Sequence, residues 1–240
     1  MVGTLDLLND SKPNLDTKVP FWKRALDCGI IVIFLPLLLI ATALIAGFIE
    51  LVSPGPILFR QTRVGRGGAP FVCFKFRSMK PNASNEGHAG YLAQLMSSNA
   101  PMTKLDRVGD SRLIRGGAML RSTGLDELPQ LINVLRGEMS IVGPRPCLPY
   151  EYVYYTDRHK HRLDVVPGIT GLWQVSGKNR TTFEEMIDLD IAYTRQRSLA
   201  LDIAIIARTG GVLLHQVWES VFGSRAHQVA SHSAPVRERA

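Results

Sequence analysis

The chain has 240 residues, a formal net charge of +7 and a pI near 9.5. Its 45% hydrophobic and 20% charged residues are typical of a folded protein, with room for one domain and a membrane element. The positive charge favours an anionic partner such as nucleic acid, anionic lipid or a nucleotide sugar. An aromatic content of 8% and cysteines without zinc-type spacing argue against nucleic acid. The three widely spaced cysteines exclude a secreted disulfide framework and favour a reducing cytoplasm.

The N-terminal part of the chain predicts a membrane element. Residues 1–20 are polar without periodicity and predict a flexible lead-in. Residues 29–49 carry no charge, and a helix of that length measures about 30 Å, enough to cross a bilayer. We therefore predict a membrane helix within residues 21–53. The alternative is a helix buried in a soluble core.

The flanks of this apolar run bear on its topology. Basic residues lie on both sides of it: Lys18, Lys23 and Arg24 before it, and Arg60, Arg63 and Arg66 after it. The positive-inside rule places both flanks in the cytoplasm, which a straight span does not allow. Pro36 predicts a kink inside the run. We predict a re-entrant helix that returns to the cytoplasmic face, with a single tilted span as the alternative.

Two extended segments follow, at residues 57–63 and 71–77, joined by a turn at 65–70. Alternation in the second places Lys75 and Arg77 on one face with Cys73. This face predicts contact with a substrate phosphate or support of an acidic site, and the alternative is a solvated edge strand. Residues 81–110 are polar with a weak helix near 90–97, and we assign no chemistry to them.

Two carboxylates, Asp126 and Glu127, precede a helix with a predicted buried apolar face. Pro129 suits the first helical position and Gly137 the residue after the end. The face has spacing i, i+3, i+4 and i+7 and comprises Leu128, Leu131, Ile132 and Leu135. One interpretation is simple helix capping. The other is a phosphate site, because Arg121 lies just upstream.

A second arginine strengthens the phosphate interpretation. Arg145 lies in residues 143–146 (GPRP), where prolines restrict the backbone on both sides. Fixed guanidinium groups beside a helix N-terminus suit phosphate binding. A carboxylate that stays ionised there, such as Asp126, binds Mg²⁺ or attacks phosphorus.

The C-terminal half predicts helices at a membrane interface and a further wall of the site. Residues 148–162 mix tyrosines with basic residues, which suits either a membrane interface or an ordinary surface helix. Residues 167–174 (PGITGLWQ) form a turn ending at Gln174. Thr182 and Glu185 predict a capping box, and Asp188 and Asp190 on that helix are expected on a solvated acidic face, with contact to the basic strand as the alternative. Residues 199–214 predict an interfacial or core-docked helix, and residues 222–240 a mobile tail.

Several of these motifs together resemble the bacterial sugar transferase family. They are residues 75–79 (KFRSM), 125–130 (LDELPQ), 143–146 (GPRP) and 167–174, and the resemblance spans about residues 21–214. The family's monotopic members are polyprenyl-phosphate hexose-1-phosphate transferases that initiate exopolysaccharide assembly and carry a Pro-broken membrane helix. The resemblance implies transfer of a hexose-1-phosphate from a UDP-sugar to undecaprenyl phosphate, releasing UMP.

The resemblance also assigns roles. It implies Asp126 as nucleophile and Mg²⁺ ligand, with Glu127 as metal-shell ligand or proton acceptor. The residues expected to bind phosphate or substrate are Lys75, Arg77, Arg121, Arg145 and Gln174. Trp173 is expected to offer a stacking surface. The hexose, whether galactose, glucose or an N-acetylated sugar, is left open.

The fold class we predict is helix-rich α+β, with one small catalytic domain, a Pro-kinked re-entrant helix and interfacial amphipathic helices. Residues 54–221 form the predicted catalytic domain on the cytoplasmic face of the bacterial inner membrane. Expected partners are a UDP-hexose, undecaprenyl phosphate and membrane lipid, without nucleic acid, and the apolar surface also allows homo-oligomers. The alternative function is a membrane-anchored, non-catalytic scaffold or regulator that binds anionic lipid or nucleotide sugar.

Overall fold

The computed structural model describes residues 19–81, 110–177 and 181–218, with side chains as far as residue 213. Residues 1–18 of the predicted lead-in, 82–109 of the polar segment and the predicted tail at 222–240 lie outside the described residues. The helices and strands, in chain order, are α1 (Phe21–Val52), β1 (Leu58–Val64), β2 (Pro70–Phe76), α2 (Gly117–Thr123), α3 (Gln130–Arg136), β3 (Ser140–Val142), α4 (Pro149–Tyr152), α5 (Asp157–Lys160), β4 (Gly168–Thr170), α6 (Leu172–Val175), α7 (Phe183–Gln196) and α8 (Leu199–Trp218). The helix-rich α+β class is confirmed.

The predicted hairpin is confirmed. β1 and β2 pair antiparallel, with Arg63 opposite Phe71 and Gln61 opposite Cys73. Because directly paired residues share a sheet face, Arg63, Cys73 and Lys75 lie on the same face of the hairpin. A second, parallel pair joins β3 to β4.

Helix α1 contacts the rest of the protein at both of its ends. Near its start, Ile31 packs with a cluster that includes Val134, and near its end Ile45 and Ile49 pack with a cluster that includes Phe76. Between them, residues 32–44 are mostly exposed and almost entirely apolar. By length and composition, α1 is able to cross a membrane. Pro36 lies inside this continuous helix. The predicted kink of the helix axis at Pro36 remains a prediction.

A buried polar cluster fixes the start of α1 to the domain. The Lys23 ammonium lies 2.6 Å from Asp202 Oδ2, 2.9 Å from the Tyr193 hydroxyl and 2.8 Å from the Val142 carbonyl. One turn later, Asp27 Oδ1 accepts hydrogen bonds from Ser140 Oγ and from the backbone of β3. Helix α1 is therefore tied to β3, α7 and α8 by charge as well as by apolar packing.

The predicted buried face of α3 is only half correct, because two of its four residues are partly buried and packed on the core and the other two are exposed. Ile132 and Leu135 are 41% and 51% exposed, whereas Asn133 is fully buried. The reason lies in β2, which pairs only with β1 in the described part of the chain and leaves backbone groups free along its other edge. Asn133 satisfies them by accepting from the Phe74 N–H at 3.1 Å and donating to the Val72 carbonyl at 2.7 Å.

Helix α7 is as predicted at its N-terminus. Thr182 Oγ1 accepts from the Glu185 N–H, and the Glu185 carboxylate accepts from the Thr182 N–H, which completes a capping box. The expected inward side chains are buried: Phe183, Met186, Ile187 and Ile191. This helix closes the core behind β1 and α6.

Candidate active site

The two predicted catalytic carboxylates lie in a tight turn between two helices. Asp126 and Glu127 belong to the 3-10 turn Leu125–Glu127, which follows Gly124 at a φ of 71°. Pro129 caps α3 from outside, and Gly137 ends it in the left-handed conformation. The acids thus precede α3 as predicted, but α3 begins at Gln130, so Pro129 is the N-cap residue and not the predicted first helical residue. Their environment must come from neighbouring side chains.

The turn brings a cation from β2 against the acids. Lys75 Nζ lies 2.7 Å from Glu127 Oε1, and both side chains are partly exposed. Asp126 is 8% exposed, and burial raises the pKa of its carboxyl group. The positive charges of Lys75 and Arg121 oppose that shift, while the Glu127 charge adds to it. Asp126 is therefore a poorly solvated carboxyl group whose anion is stabilised by nearby cations.

A polar cavity opens beside this turn. Its charged and amide lining side chains are Arg63, Lys75, Glu127, Gln130, Arg145 and Gln174. Arg145 is exposed, so its guanidinium is available to solvent. Among the described residues, Gln174 Oε1 is a buried acceptor without a hydrogen-bond partner. The cavity is therefore lined by cations from several elements, by an acid and by an amide oxygen without a partner in the described structure. Such a lining suits a polar, phosphorylated ligand.

Two glycines position the Arg145 loop against this cavity. A Cβ on Gly168 would lie 2.0 Å from the Gly143 nitrogen, and a Cβ on Gly143 would lie 2.6 Å from the Val166 carbonyl oxygen. Side chains at these positions are therefore incompatible with the β3–β4 pairing. The motifs at 143–146 and 167–174 meet because both contain glycine at the contact.

Buried charges support the same loop from behind. Arg162 donates to the Arg145 carbonyl at 3.1 Å, to the Tyr155 hydroxyl at 2.7 Å and to the Asp190 carboxylate. Asp190 is fully buried, so its expected place on a solvated face is wrong, although Asp188 on that helix is exposed. The physical reason is the ion pair with Arg162, because a buried carboxylate needs a partner.

The structure brings together only part of the predicted set. Lys75, Glu127, Arg145 and Gln174 line the cavity, and Asp126 lies in the adjoining turn. Arg121 lies on α2, from where its charge acts on Asp126. Arg77 points elsewhere and donates to the Ser53 carbonyl at the end of α1. Because β2 ends at Phe76, strand alternation no longer governs Arg77.

The predicted stacking role of Trp173 is not supported by its position. Trp173 is 7% exposed and packs in the apolar core cluster that contains Val64, Cys147 and Ile187. Since an indole ring needs an open face to stack on a ligand, this side chain stabilises the domain instead.

Sequence reasoning missed Arg63, Gln130 and Arg162. The hairpin offered a signal for Arg63: the alternation that places Lys75 and Cys73 on one face extends across the turn to Arg63. Gln130 and Arg162 carried no such signal, because their partners come from distant parts of the chain.

The acids fit the magnesium ion that the family resemblance implies, if substrate completes the site. The described residues contain no group of three or more His, Cys, Asp or Glu side chains placed to hold a metal. Mg²⁺, however, is commonly held through one or two carboxylates together with substrate phosphates. Asp126 and Glu127 provide that number of carboxylates beside a cavity lined with cations.

Comparison with known proteins identifies the family of the chain. Residues 18–216 match the family described as bacterial sugar transferase. The chain belongs to the bacterial sugar transferase family. The match covers every element described above except the last residues of α8.

Individual relatives of the family carry named activities. The galactosyl transferase CpsE of Streptococcus agalactiae is 44% identical over 161 residues, 67% of this chain and 35% of its own length. The undecaprenyl-phosphate galactose phosphotransferase of Salmonella typhimurium is 40% identical over 82% of this chain and 41% of its own. The UDP-glucose:undecaprenyl-phosphate glucose-1-phosphate transferase of Caulobacter vibrioides is 41% identical over 80% and 69% respectively. The chain thus spans about two fifths of the first two relatives.

Proposed function

We propose that this sugar transferase moves a hexose-1-phosphate from a UDP-sugar to undecaprenyl phosphate, releasing UMP, as the first step of exopolysaccharide assembly. The observation that carries the proposal is the buried Asp126 beside the Lys75–Glu127 pair, at a cavity that also contains Arg145. Family membership and the names of the relatives support the same reaction class.

In the first step, an Asp126 carboxylate oxygen attacks the sugar-linked phosphorus of the UDP-sugar. A bond forms between that oxygen and phosphorus, and the bond from phosphorus to the bridging oxygen breaks. UMP leaves with the bridging oxygen and its electron pair. A covalent aspartyl phosphosugar remains, so the two anionic substrates need not meet.

In the second step, a phosphate oxygen of undecaprenyl phosphate attacks the same phosphorus. The bond between phosphorus and the Asp126 oxygen breaks, which restores the carboxylate and yields the diphosphate-linked lipid sugar. Because both steps need an ionised or leaving carboxylate, the charges of Lys75 and Arg121 favour them by stabilising the anion.

The neighbouring groups bind and orient the phosphates. Arg145 is placed to bind phosphate oxygens at the mouth of the cavity, and Lys75 holds Glu127 beside Asp126. Asp126 and Glu127 would hold a Mg²⁺ ion, which supplies charge neutralisation at the diphosphate. Gln174 Oε1 offers an acceptor to a substrate hydroxyl or N–H group.

The proposal places the domain on the cytoplasmic face, with α1 as a re-entrant element. Two features support it. Both end regions of α1 pack on the same domain while residues 32–44 are exposed, which supports a topology with both ends on one side of the membrane. Exposed apolar side chains also lie outside α1, on α2 and α3: Met119, Ile132 and Leu135. Such side chains suit contact with lipid at the interface.

The test is UMP release from purified protein in nanodiscs, given Mg²⁺, undecaprenyl phosphate and, in turn, UDP-galactose, UDP-glucose and their N-acetylated analogues. We expect release with at least one UDP-sugar and complete dependence on Asp126. Release that persists in Asp126→Asn would contradict the covalent mechanism. No release from any UDP-sugar would leave the non-catalytic scaffold as the better account.

A further inference from the structure

Arg63 is a buried cation in the cavity whose hydrogen bonds are incomplete. It is 7% exposed and lies on the hairpin face that also carries Lys75. Its Nε and Nη2 donate to Gln61 Oε1 at 3.0 and 2.7 Å, and its Nη1 donates to the Pro146 carbonyl at 3.1 Å. A guanidinium has five N–H donors, so these three hydrogen bonds leave two of them unused on a residue that lines the cavity.

The acceptors that Arg63 does contact are neutral. No Asp or Glu of the described residues forms an ion pair with it. Glu151 exerts an attractive charge, but its carboxylate accepts from the Leu148 N–H at 3.0 Å. A buried cation without a charged partner is costly, and the group that balances the charge is then a ligand.

The surroundings favour an anion in that place. Burial lowers the pKa of Arg63, and the positive charge of Arg145 lowers it further, so two cations face the same cavity. A phosphate oxygen between them would relieve the repulsion and accept the unused N–H groups.

A comparison with Arg162 shows whether Arg63 only supports the Arg145 loop or also has a role in ligand binding. Arg63 and Arg162 donate to the neighbouring carbonyls of Pro146 and Arg145, so both hold the same loop. Arg162 is charge-balanced by Asp190 and does not line the cavity, whereas Arg63 lines it without a carboxylate. Both arginines support the loop, but only the charge of Arg162 is balanced by a carboxylate, which leaves the charge of Arg63 to be explained.

We propose that Arg63 is a further substrate-binding residue, which donates to a phosphate oxygen of the nucleotide sugar or of the lipid phosphate acceptor. The inference rests on the proposed function and adds a residue to its site. It assigns the phosphate site to three elements: the hairpin with Arg63 and Lys75, the 125–127 turn, and the loop that carries Arg145.

The test compares Arg63→Gln and Arg63→Lys with wild type and with Arg60→Gln. Arg60 lies on the same strand with its side chain on the opposite face, over the Phe74 ring, and is the matched control. Michaelis constants are measured separately for UDP-sugar and undecaprenyl phosphate, and calorimetry compares UDP with uridine. Melting temperatures show whether each variant is folded.

We expect Arg63→Gln to raise one of the two Michaelis constants about tenfold or more, the loss for a hydrogen bond to a charged group. If the nucleotide is the ligand, UDP affinity falls by a similar factor while uridine affinity is unchanged. If the lipid phosphate is the ligand, only its Michaelis constant rises. Arg63→Lys should recover part of the loss.

Unchanged Michaelis constants and UDP affinity in folded Arg63→Gln or Arg63→Lys would overturn the proposal, as would a fall in kcat alone. An equal loss of uridine and UDP affinity would also overturn it, because a displaced loop affects both ligands. A wild-type protein that releases no UMP and binds no UDP would instead reject the proposed function itself.

Discussion

Two of the regions of buried charge in the described structure differ in how completely their charges are paired. In the cluster around Lys23, the ammonium meets the Asp202 carboxylate, the Tyr193 hydroxyl and a backbone carbonyl. In the second region, Asp126 is buried in the turn beside the cavity without an ion pair of its own in the described structure, and Arg63 in the cavity wall has only neutral acceptors. The Lys23 ammonium has a partner for each of its three N–H groups, although the neighbouring Asp27 Oδ2 has none among the described residues. In the same part of the chain, Asp126 and Arg63 lack a directly paired group of opposite charge.

The difference distinguishes residues that stabilise the fold from residues that bind or react with the substrate. The buried Lys23–Asp202 ion pair joins distant elements, here α1 to α8, and leaves no N–H group of the ammonium for a ligand. Charges held in place without partners lower stability and are retained where a substrate supplies the missing contacts. Substitutions in the two regions should therefore act on different measured quantities.

The largest effect is expected at Asp126. Asp126→Asn removes the proposed nucleophile and should lower the rate of UMP release by about 10⁴-fold or more. The matched control is Asp188→Asn, an exposed carboxylate on α7, which should retain wild-type turnover. Turnover of Asp126→Asn within tenfold of wild type would contradict the account.

Substitutions in the Lys23 cluster should lower the free energy of unfolding. Lys23→Met leaves the Asp202 carboxylate buried without a cation, and we expect a loss of about 3–5 kcal/mol in the free energy of unfolding. The double variant Lys23→Met/Asp202→Leu should recover much of it, because both charges are gone. Denaturant unfolding measures this, with the exposed pair of Lys160 and Asp157 as control: Lys160→Met should show no measurable change. Additive losses in the double variant would argue against a coupled pair.

A smaller loss is expected where the two regions meet. Gly168→Ala places a Cβ against the Gly143 backbone, at 2.0 Å from its nitrogen. We expect destabilisation of about 1–3 kcal/mol together with loss of activity, since the Arg145 loop must shift. Gly210→Ala, a change with open space around it on α8, is the control for a glycine substitution. Equal melting temperatures for the two variants would show that the close approach is not required.

The pH dependence of the activity should reflect the ionisation of the Asp126 carboxyl group. The pKa of Asp126 is raised above 3.8 mainly by burial, and the nucleophile must be ionised. The activity should therefore fall as pH decreases through that raised pKa, by about tenfold per unit below it. This limb is measured as kcat/KM for the UDP-sugar over a pH series. A limb at or below the ordinary range of aspartate would contradict the buried environment.

The smallest expected effect is a gain in the stability of Asp126→Asn at neutral pH. Because the folded state of Asp126 binds its proton more tightly than the unfolded chain, stability decreases as pH rises from 3.8 to the folded pKa. At neutral pH the ionised group therefore costs stability, and Asp126→Asn should melt at a higher temperature than wild type. The difference should vanish in acid, below both pKa values. A lower melting temperature at neutral pH would show that Asp126 stabilises the fold.

Local patterns predicted much of this architecture. The hairpin, the capping box at Thr182, the membrane helix and the left-handed Gly137 each depend on neighbouring residues, and the structure has them. The two acids and Lys75 were predicted as site residues because they belong to the motifs at 125–130 and 75–79.

The rest depended on contacts between distant residues. The buried face of α3 was only half predicted because Asn133 serves the backbone of β2, a requirement that helical periodicity does not contain. Asp190 was placed in solvent because its partner Arg162 lies 28 positions away. Arg77 was placed in the site because the strand was assumed to continue beyond Phe76.

The most direct test of the central claim is intact-protein mass spectrometry after incubation with UDP-sugar and Mg²⁺, without the lipid acceptor. The account predicts a mass increase equal to one hexose phosphate on wild type, located at Asp126 by peptide mapping. The adduct should be absent in Asp126→Asn and should disappear when undecaprenyl phosphate is added. An active protein that forms no adduct, and releases UMP only when both substrates are present, would contradict a covalent intermediate on Asp126.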